Sequence, residues 1–270
     1  MAMHRLFCIT IALALVFTTT ATTAEARKKA RYKKHATPAT QKVGDMDLCN
    51  GGAMITAQDQ ISGCSRIIVS RKSRATRSVA HYNRANALMK LSQVSGAIED
   101  YGKALALNSK FAEAHFNRAI SYQMTNNWSQ ALVDLDAAVA LEPNDTDTLA
   151  TRGVVLLRFA RTGPASADFE RALALNSRHA GALTGRAHLR ARAHEWATAL
   201  EDYEKALQVA PQSAEALFGR GLVLVWTGRT EQGEADMFQA KNFSPAVEDR
   251  LAALGLARTP SPLAAATLPN

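Results

Sequence analysis

The stretch Ala112–Pro143, "AEAHFNRAISYQMTNNWSQALVDLDAAVALEP", decides how the rest of the chain is read. It reads as two short amphipathic helices, with Arg118 in the first and Asp134 in the second, sixteen residues apart. The same pair recurs thirty-four residues away in either direction: Arg84 with Asp100, Arg152 with Asp168, Arg186 with Asp202 and Arg220 with Asp236. A fixed period of this kind means that one structural unit is repeated, and its chemistry is to be sought once per unit.

Three registers of the unit hold small residues: Ala85, Ala119, Gly153, Ala187 and Gly221; Ala97, Ala131, Ala165, Ala199 and Gly233; Ala104, Ala138, Ala172, Ala206 and Ala240. Between the last two lies a large one, with Tyr101, Leu135, Phe169, Tyr203 and Met237. Small side chains on facing sides let two helix backbones approach, and the large residue fills the space beside them. The pattern predicts an all-α chain of antiparallel helix pairs, each stacked on the next. Asn108-Ser109, Pro143-Asn144, Asn176-Ser177, Pro211 and Ser244-Pro245 punctuate the unit ends. Gly163-Pro164 falls in a first helical turn, where proline is tolerated.

Outward from the array the text changes. Residues 1–26 combine Arg5, an apolar run from Leu6 to Phe17 and a small-x-small closing sequence, which predicts a secretory signal. An apolar run of about twelve residues is short of the ~20 that a membrane span needs. Residues 27–47 are basic, without apolar period, and read as a flexible linker. Residues 48–77 place Ile61, Cys64, Ile67 and Ile68 at helical intervals, as an amino-terminal cap resembling the second half of a unit. The five units follow at 78–111, 112–145, 146–179, 180–213 and 214–245; residues 246–257 predict a carboxy-terminal capping helix and 258–270 a disordered tail. Export leaves Cys49 and Cys64 as an even pair in an oxidising compartment, where a disulfide is the expected state. A metal site or redox pair fits less well, since the thiols lack neighbouring histidines and Cys-x-x-Cys spacing.

The formal charge of +8 over 270 residues is unevenly placed. Residues 27–78 carry twelve Lys or Arg against three Asp, whereas residues 79–270 carry nineteen against twenty Asp or Glu. The repeats therefore show no electrostatic footprint for nucleic acid. The arm at residues 27–34 can serve an anionic envelope surface.

With its period, its small-small-large-small registers, Ala112–Pro143 and Ser213–Gly228 ("SAEALFGRGLVLVWTG"), the chain resembles the tetratricopeptide repeat family over residues 78–245. The cysteine segment ahead of the repeats also resembles a group of exported bacterial members. The resemblance implies a right-handed superhelical solenoid whose first helices line a concave groove that holds partner peptides or helices without catalysis. Carried over by register, the groove falls on Tyr82, Asn86, Met89, Lys90, Phe116, Gln123, Met124, Arg158, His188, Arg192, Phe218 and Trp226. Ile120, Val154 and Leu222 belong either to this wall or to the packing between repeats. Family members that grip a terminal carboxylate use a Lys/Asn/Lys/Arg set; here those registers hold Tyr82, Asn86, Phe116, Ile120, Ala150 and Val154, of which only the asparagine fits.

The five Arg/Asp pairs lie at helix seams and are expected to be structural ion pairs; the alternative is an arginine row for anionic ligands. No phosphate loop, serine-hydrolase elbow or zinc-protease motif is present in the sequence, and neither cofactor nor metal is expected. The expected function is a periplasmic or secreted scaffold for protein segments, with an envelope tether working through the basic arm as the rival.

Overall fold

The structure is a computed structural model and describes residues 43–256; the expected signal, the basic arm and the tail lie outside the described residues. The described residues form thirteen α-helices and no strand. In chain order these are α1 (Asp45–Asn50), α2 (Ala57–Val69), α3 (Arg74–Lys90), α4 (Val94–Leu107), α5 (Ala112–Met124), α6 (Trp128–Leu141), α7 (Thr146–Arg158), α8 (Thr162–Leu175), α9 (Ala180–Arg192), α10 (Trp196–Val209), α11 (Ala214–Trp226), α12 (Thr230–Phe243) and α13 (Val247–Ala252). Helices α3 to α12 make five hairpins, and the second helix of each packs on the first helix of the next.

The small registers are the seams of these hairpins. Ala85, Ala97, Ala119, Ala131, Ala165, Ala187 and Ala199 have no exposed surface, and Tyr101, Leu135, Phe169, Tyr203 and Met237 are buried beside them. The hairpin turns also share one device. Ser92, Asn126, Ala160, His194 and Gly228, all at the fifteenth position of their unit, adopt positive φ between 56° and 85°. In each turn a 6→1 backbone bond closes the first helix, from Gln93 N to Leu88 O, Asn127 N to Tyr122 O, Arg161 N to Leu156 O, Glu195 N to Arg190 O and Arg229 N to Leu224 O. Only the last of these turns carries the glycine that such a conformation favours.

Before the repeats, α1 and α2 form a small hairpin joined by the Cys49–Cys64 disulfide. Closing a loop of this length contributes roughly 3 kcal/mol in the chain-entropy model. Helix α1 begins at Asp45, inside the stretch expected to be linker; Asp45 and Asp47 in its first turn suit the positive end of a helix dipole. Helix α3 begins four residues ahead of the repeat register because Ser73 caps it, its hydroxyl accepting from Thr76 N at 3.1 Å. At the other end α13 packs on α11, and Val247, Leu251, Leu254 and Leu256 are buried against the last repeat.

Stacking tightens along the array. First helices touch one another directly from α7 through α9 and α11 to α13, and hardly at all before α7. The sixth position of the unit accounts for this: it holds Asn83, Asn117 and Thr151 in the first three repeats but Gly185 and Gly219 in the last two. A Cβ on Gly185 would lie 2.3 Å from the Phe169 ring, and one on Gly219 2.5 Å from the Tyr203 hydroxyl. Each glycine thus admits the large residue of the preceding repeat against its own helix backbone, which draws α9 and α11 inward.

Candidate functional site

The first helices α3, α5, α7, α9 and α11 present the wall on which the groove residues were expected. In the first two repeats this wall is open: Tyr82, Asn86, Met89, Phe116 and Gln123 are half-buried, and Lys90 and Met124 are exposed. Arg158, Arg192 and Trp226 are half-buried farther along.

Two expected groove residues are not accessible. His188 is 2% exposed and Phe218 is 1% exposed. For His188 the cause is the close stacking of α7, α9 and α11 just described; for Phe218 it is α13 lying on α11. Of the three ambiguous residues, Leu222 is buried and Ile120 and Val154 are half-buried.

His188 has a structural explanation. In the first repeat the Tyr101 hydroxyl donates to Asn86 Oδ1, and the Asn117 amide donates to that same oxygen and to the Tyr82 hydroxyl, each at 3.1 Å. In the fourth repeat the same two registers bring Tyr203 and His188 together, their rings 5.7 Å apart. Where the large residue carries no hydroxyl, as in Leu135, Phe169 and Met237, the ninth position is the aliphatic Ile120, Val154 or Leu222. In the first repeat the polar neighbour satisfies the hydroxyl, whereas in the fourth neither the Tyr203 hydroxyl nor either His188 ring nitrogen has a hydrogen-bond partner among the described residues, and the two rings meet by packing alone. Burial holds the His188 ring neutral, lowering its pKa to about 4 against the pull of nearby Glu215.

All five expected ion pairs form, each bidentate through the arginine Nε and Nη2: Arg84–Asp100, Arg118–Asp134, Arg152–Asp168, Arg186–Asp202 and Arg220–Asp236, at 2.6–2.9 Å. The aspartates are buried. Burial alone would raise the Asp100 pKa, but hydrogen bonds from Arg84 and His81 outweigh it and hold the carboxyl at about 2. Asp134 is lowered in the same way, by Arg118 and His115 against burial. The third arginine nitrogen reaches the preceding unit: Arg152 Nη1 donates to Asp136 at 3.0 Å, and Arg84 Nη1 to Ser65 at 2.9 Å. Every pair ties its own hairpin, and those of Arg84 and Arg152 also lean on the element before. An arginine with its carboxylate already in place is poorly disposed to take another anion, so the geometry favours the structural role over an anion-binding row.

Sequence reasoning gave no role to Asn117, Trp128 or Trp196, and it read Arg190 as part of a solvated basic face. Arg190 adds a third arginine nitrogen to Asp202 at 2.7 Å. The Arg158 guanidinium lies 4.2 Å from the centre of the Trp128 ring. Trp196 packs on Trp226 with ring centres 5.4 Å apart, and His194 meets Trp196 edge-on at 4.8 Å. The signal for Trp128 and Trp196 was present, since both open second helices two repeats apart in the same register. Among the described residues no cluster of His, Cys, Asp or Glu could hold a metal, and no helix is long and apolar enough to cross a membrane.

Family models of the TPR repeat match residues 85–126, and tetratricopeptide repeat models match residues 112–145 and 184–246. No curated protein matches the sequence. Among solved structures, a tetratricopeptide repeat protein from Parabacteroides merdae superposes with a TM-score of 0.59 at 16% identity, covering 74% of this chain and 86% of that one. The Pseudomonas aeruginosa pilF protein gives 0.58 at 20% identity, covering 73% and 89%. MamA from Desulfovibrio magneticus RS-1, from residue 41 to its end, gives 0.52 at 14% identity, covering 66% and 98%. At these identities the likeness is one of fold. The period of thirty-four, the stacked hairpins with their small seams and the matching repeat models together place this chain in the tetratricopeptide repeat family.

Proposed function

We propose that this chain is a non-catalytic scaffold of the cell envelope, exported to the periplasm or beyond, that holds a segment of a partner protein against the first helices of its repeats. The observation that carries the reading is the graded wall: Tyr82, Met89, Phe116 and Met124 remain accessible in repeats 1 and 2, whereas from repeat 3 on the registers of Tyr82 and Met89 are filled by Ala150, Leu157, Thr184, Ala191 and Phe218, which are buried. Half-exposed aromatic and methionine side chains on a rigid helical face are the usual anchors for a peptide or helix. The Cys49–Cys64 disulfide supports an oxidising compartment.

A photo-crosslinking residue placed at Met124 in the full chain is expected to give a discrete adduct in cells, lost when Phe116 is changed to Ala. One placed at Phe218 is expected to give none. Equal labelling from both positions would refute the reading. The rival, an envelope tether, is favoured by the six Lys or Arg among residues 27–34. Deleting residues 27–42 separates the two, because a scaffold keeps its partner while a tether leaves the envelope fraction.

A further inference from the structure

The wall carries an asymmetry of charge from one edge to the other. The thirteenth position of the five units, at the end of each first helix, holds Lys90, Met124, Arg158, Arg192 and Trp226. Among the described residues none of the three cations has a carboxylate partner. Lys90 meets only the Gln60 amide oxygen at 3.4 Å, and Arg158 lies on the face of Trp128. Arg192 is backed by the turn at Gly255, where an added Cβ would stand 3.2 Å from its Nε. The acids lie at the opposite edge, at the second position, and two of the three already hold a partner: Asp147 accepts from His179 at 2.9 Å and Glu215 from Arg250 at 2.7 Å. The seam arginines, by contrast, each hold a carboxylate unit by unit.

We infer that this edge binds an extended, acidic segment of a partner protein running across the ends of the first helices, with carboxylates at Lys90, Arg158 and Arg192 and an apolar side chain at Met124. Packed helices stand about 8–10 Å apart, and an extended chain advances about 3.3 Å per residue. One repeat therefore corresponds to about three ligand residues. The segment recognised is acid-x-x-apolar-x-x-acid-x-x-acid, read in either direction. This inference rests on the groove proposed above and names what the groove selects.

The test uses the full chain and fluorescein-labelled decapeptides followed by anisotropy: Glu-Ser-Ser-Leu-Ser-Ser-Glu-Ser-Ser-Glu, its reversed sequence, and a version of each with Gln for Glu. One of the Glu peptides is expected to bind at least about ten-fold more tightly than its Gln counterpart at low salt, an advantage that shrinks as the screening length falls at high salt. Lys90→Ala, Arg158→Ala and Arg192→Ala are each expected to weaken it about two- to five-fold, the range of single exposed ion pairs. Met124→Ser is expected to weaken both the Glu and the Gln forms. Arg178→Ala with Lys205→Ala, which remove cations from the cleft between α8 and α10, serves as the control and is expected to change nothing. Equal binding of Glu and Gln peptides, or binding insensitive to the three edge substitutions, overturns the acidic assignment and leaves the groove standing. No binding of any peptide, with capture still obtained from Met124, overturns the extended pattern. No binding and no capture overturns both readings.

Discussion

Arg152→Ala removes the guanidinium that is bidentate on Asp168, a carboxylate on a residue 5% exposed. The stranded charge cannot reach water without opening the seam between α7 and α8, and the cost of breaking such a pair from one side is about 3–5 kcal/mol. Asp168→Ala is milder. The Arg152 side chain is 21% exposed and keeps Asp136 at 3.0 Å, so the remaining charge is partly solvated and partly matched; its loss is about 1–3 kcal/mol. In the double variant no charge is stranded, and the combined cost should fall below the sum of the singles by about 2 kcal/mol. Urea unfolding followed by far-UV circular dichroism measures all three. For a folded unit of this size each kcal/mol moves Tm by about 2–4 °C, so Arg152→Ala should melt some 6–20 °C early. Strict additivity, or a single-variant cost below about 1 kcal/mol, would show that the pairs do not hold the seams and would remove them from the account of stability.

Gly185→Ala forces a methyl group to within 2.3 Å of the Phe169 ring and should cost about 3 kcal/mol or more in the same assay, with the fourth repeat losing amide-exchange protection first. Gly102 occupies the register that supplies Asp136, Glu170 and Glu204 to the arginine of the following repeat, and a Cβ there would sit 3.6 Å from Arg118 Nη1. Gly102→Asp should therefore raise the urea midpoint, by about 0.5–1.5 kcal/mol from helix propensity and a restored pair. Ala160→Gly relieves a left-handed alanine at φ 56° and should stabilise by about 1 kcal/mol, read as an increase in Tm. His188 stays neutral in the fold down to about pH 4 while the unfolded chain takes up a proton near its ordinary pKa of 6.5. Its contribution is thus present above about pH 6.5 and lost as pH falls toward 4, by up to about 3 kcal/mol. The difference in stability between the native chain and His188→Gln should shrink over that window, and a pH-independent difference would refute the assignment.

The repeats explain why some side chains vary and others do not. Each arginine and aspartate faces the same seam in every unit, so the pair is invariant along the array. The ninth position varies with its neighbour: beside a tyrosine it is Asn86, which accepts the hydroxyl, or His188, which only packs on the ring, and beside an apolar residue it is Ile120, Val154 or Leu222. That dependence could have been read in the sequence by comparing the two registers with each other, which would have moved His188 from the groove to the core. The fifteenth position escaped notice for the opposite reason, since Ser, Asn, Ala, His and Gly have no common chemistry and share only a backbone conformation.

The period, the antiparallel hairpins, the small seams with their large fillers, the ion pairs and the cysteine pairing were all legible in the amino-acid order, because each is a contact within a unit or to its nearest neighbour and leaves its mark at fixed spacing. Accessibility of the wall was not. Whether His188 or Phe218 meets a partner depends on how closely whole helices stack and on what α13 covers, and those distances accumulate from side chains in neighbouring repeats, above all Gly185 and Gly219 admitting Phe169 and Tyr203. A register says which way a residue points, whereas only the packed array decides whether anything stands in front of it.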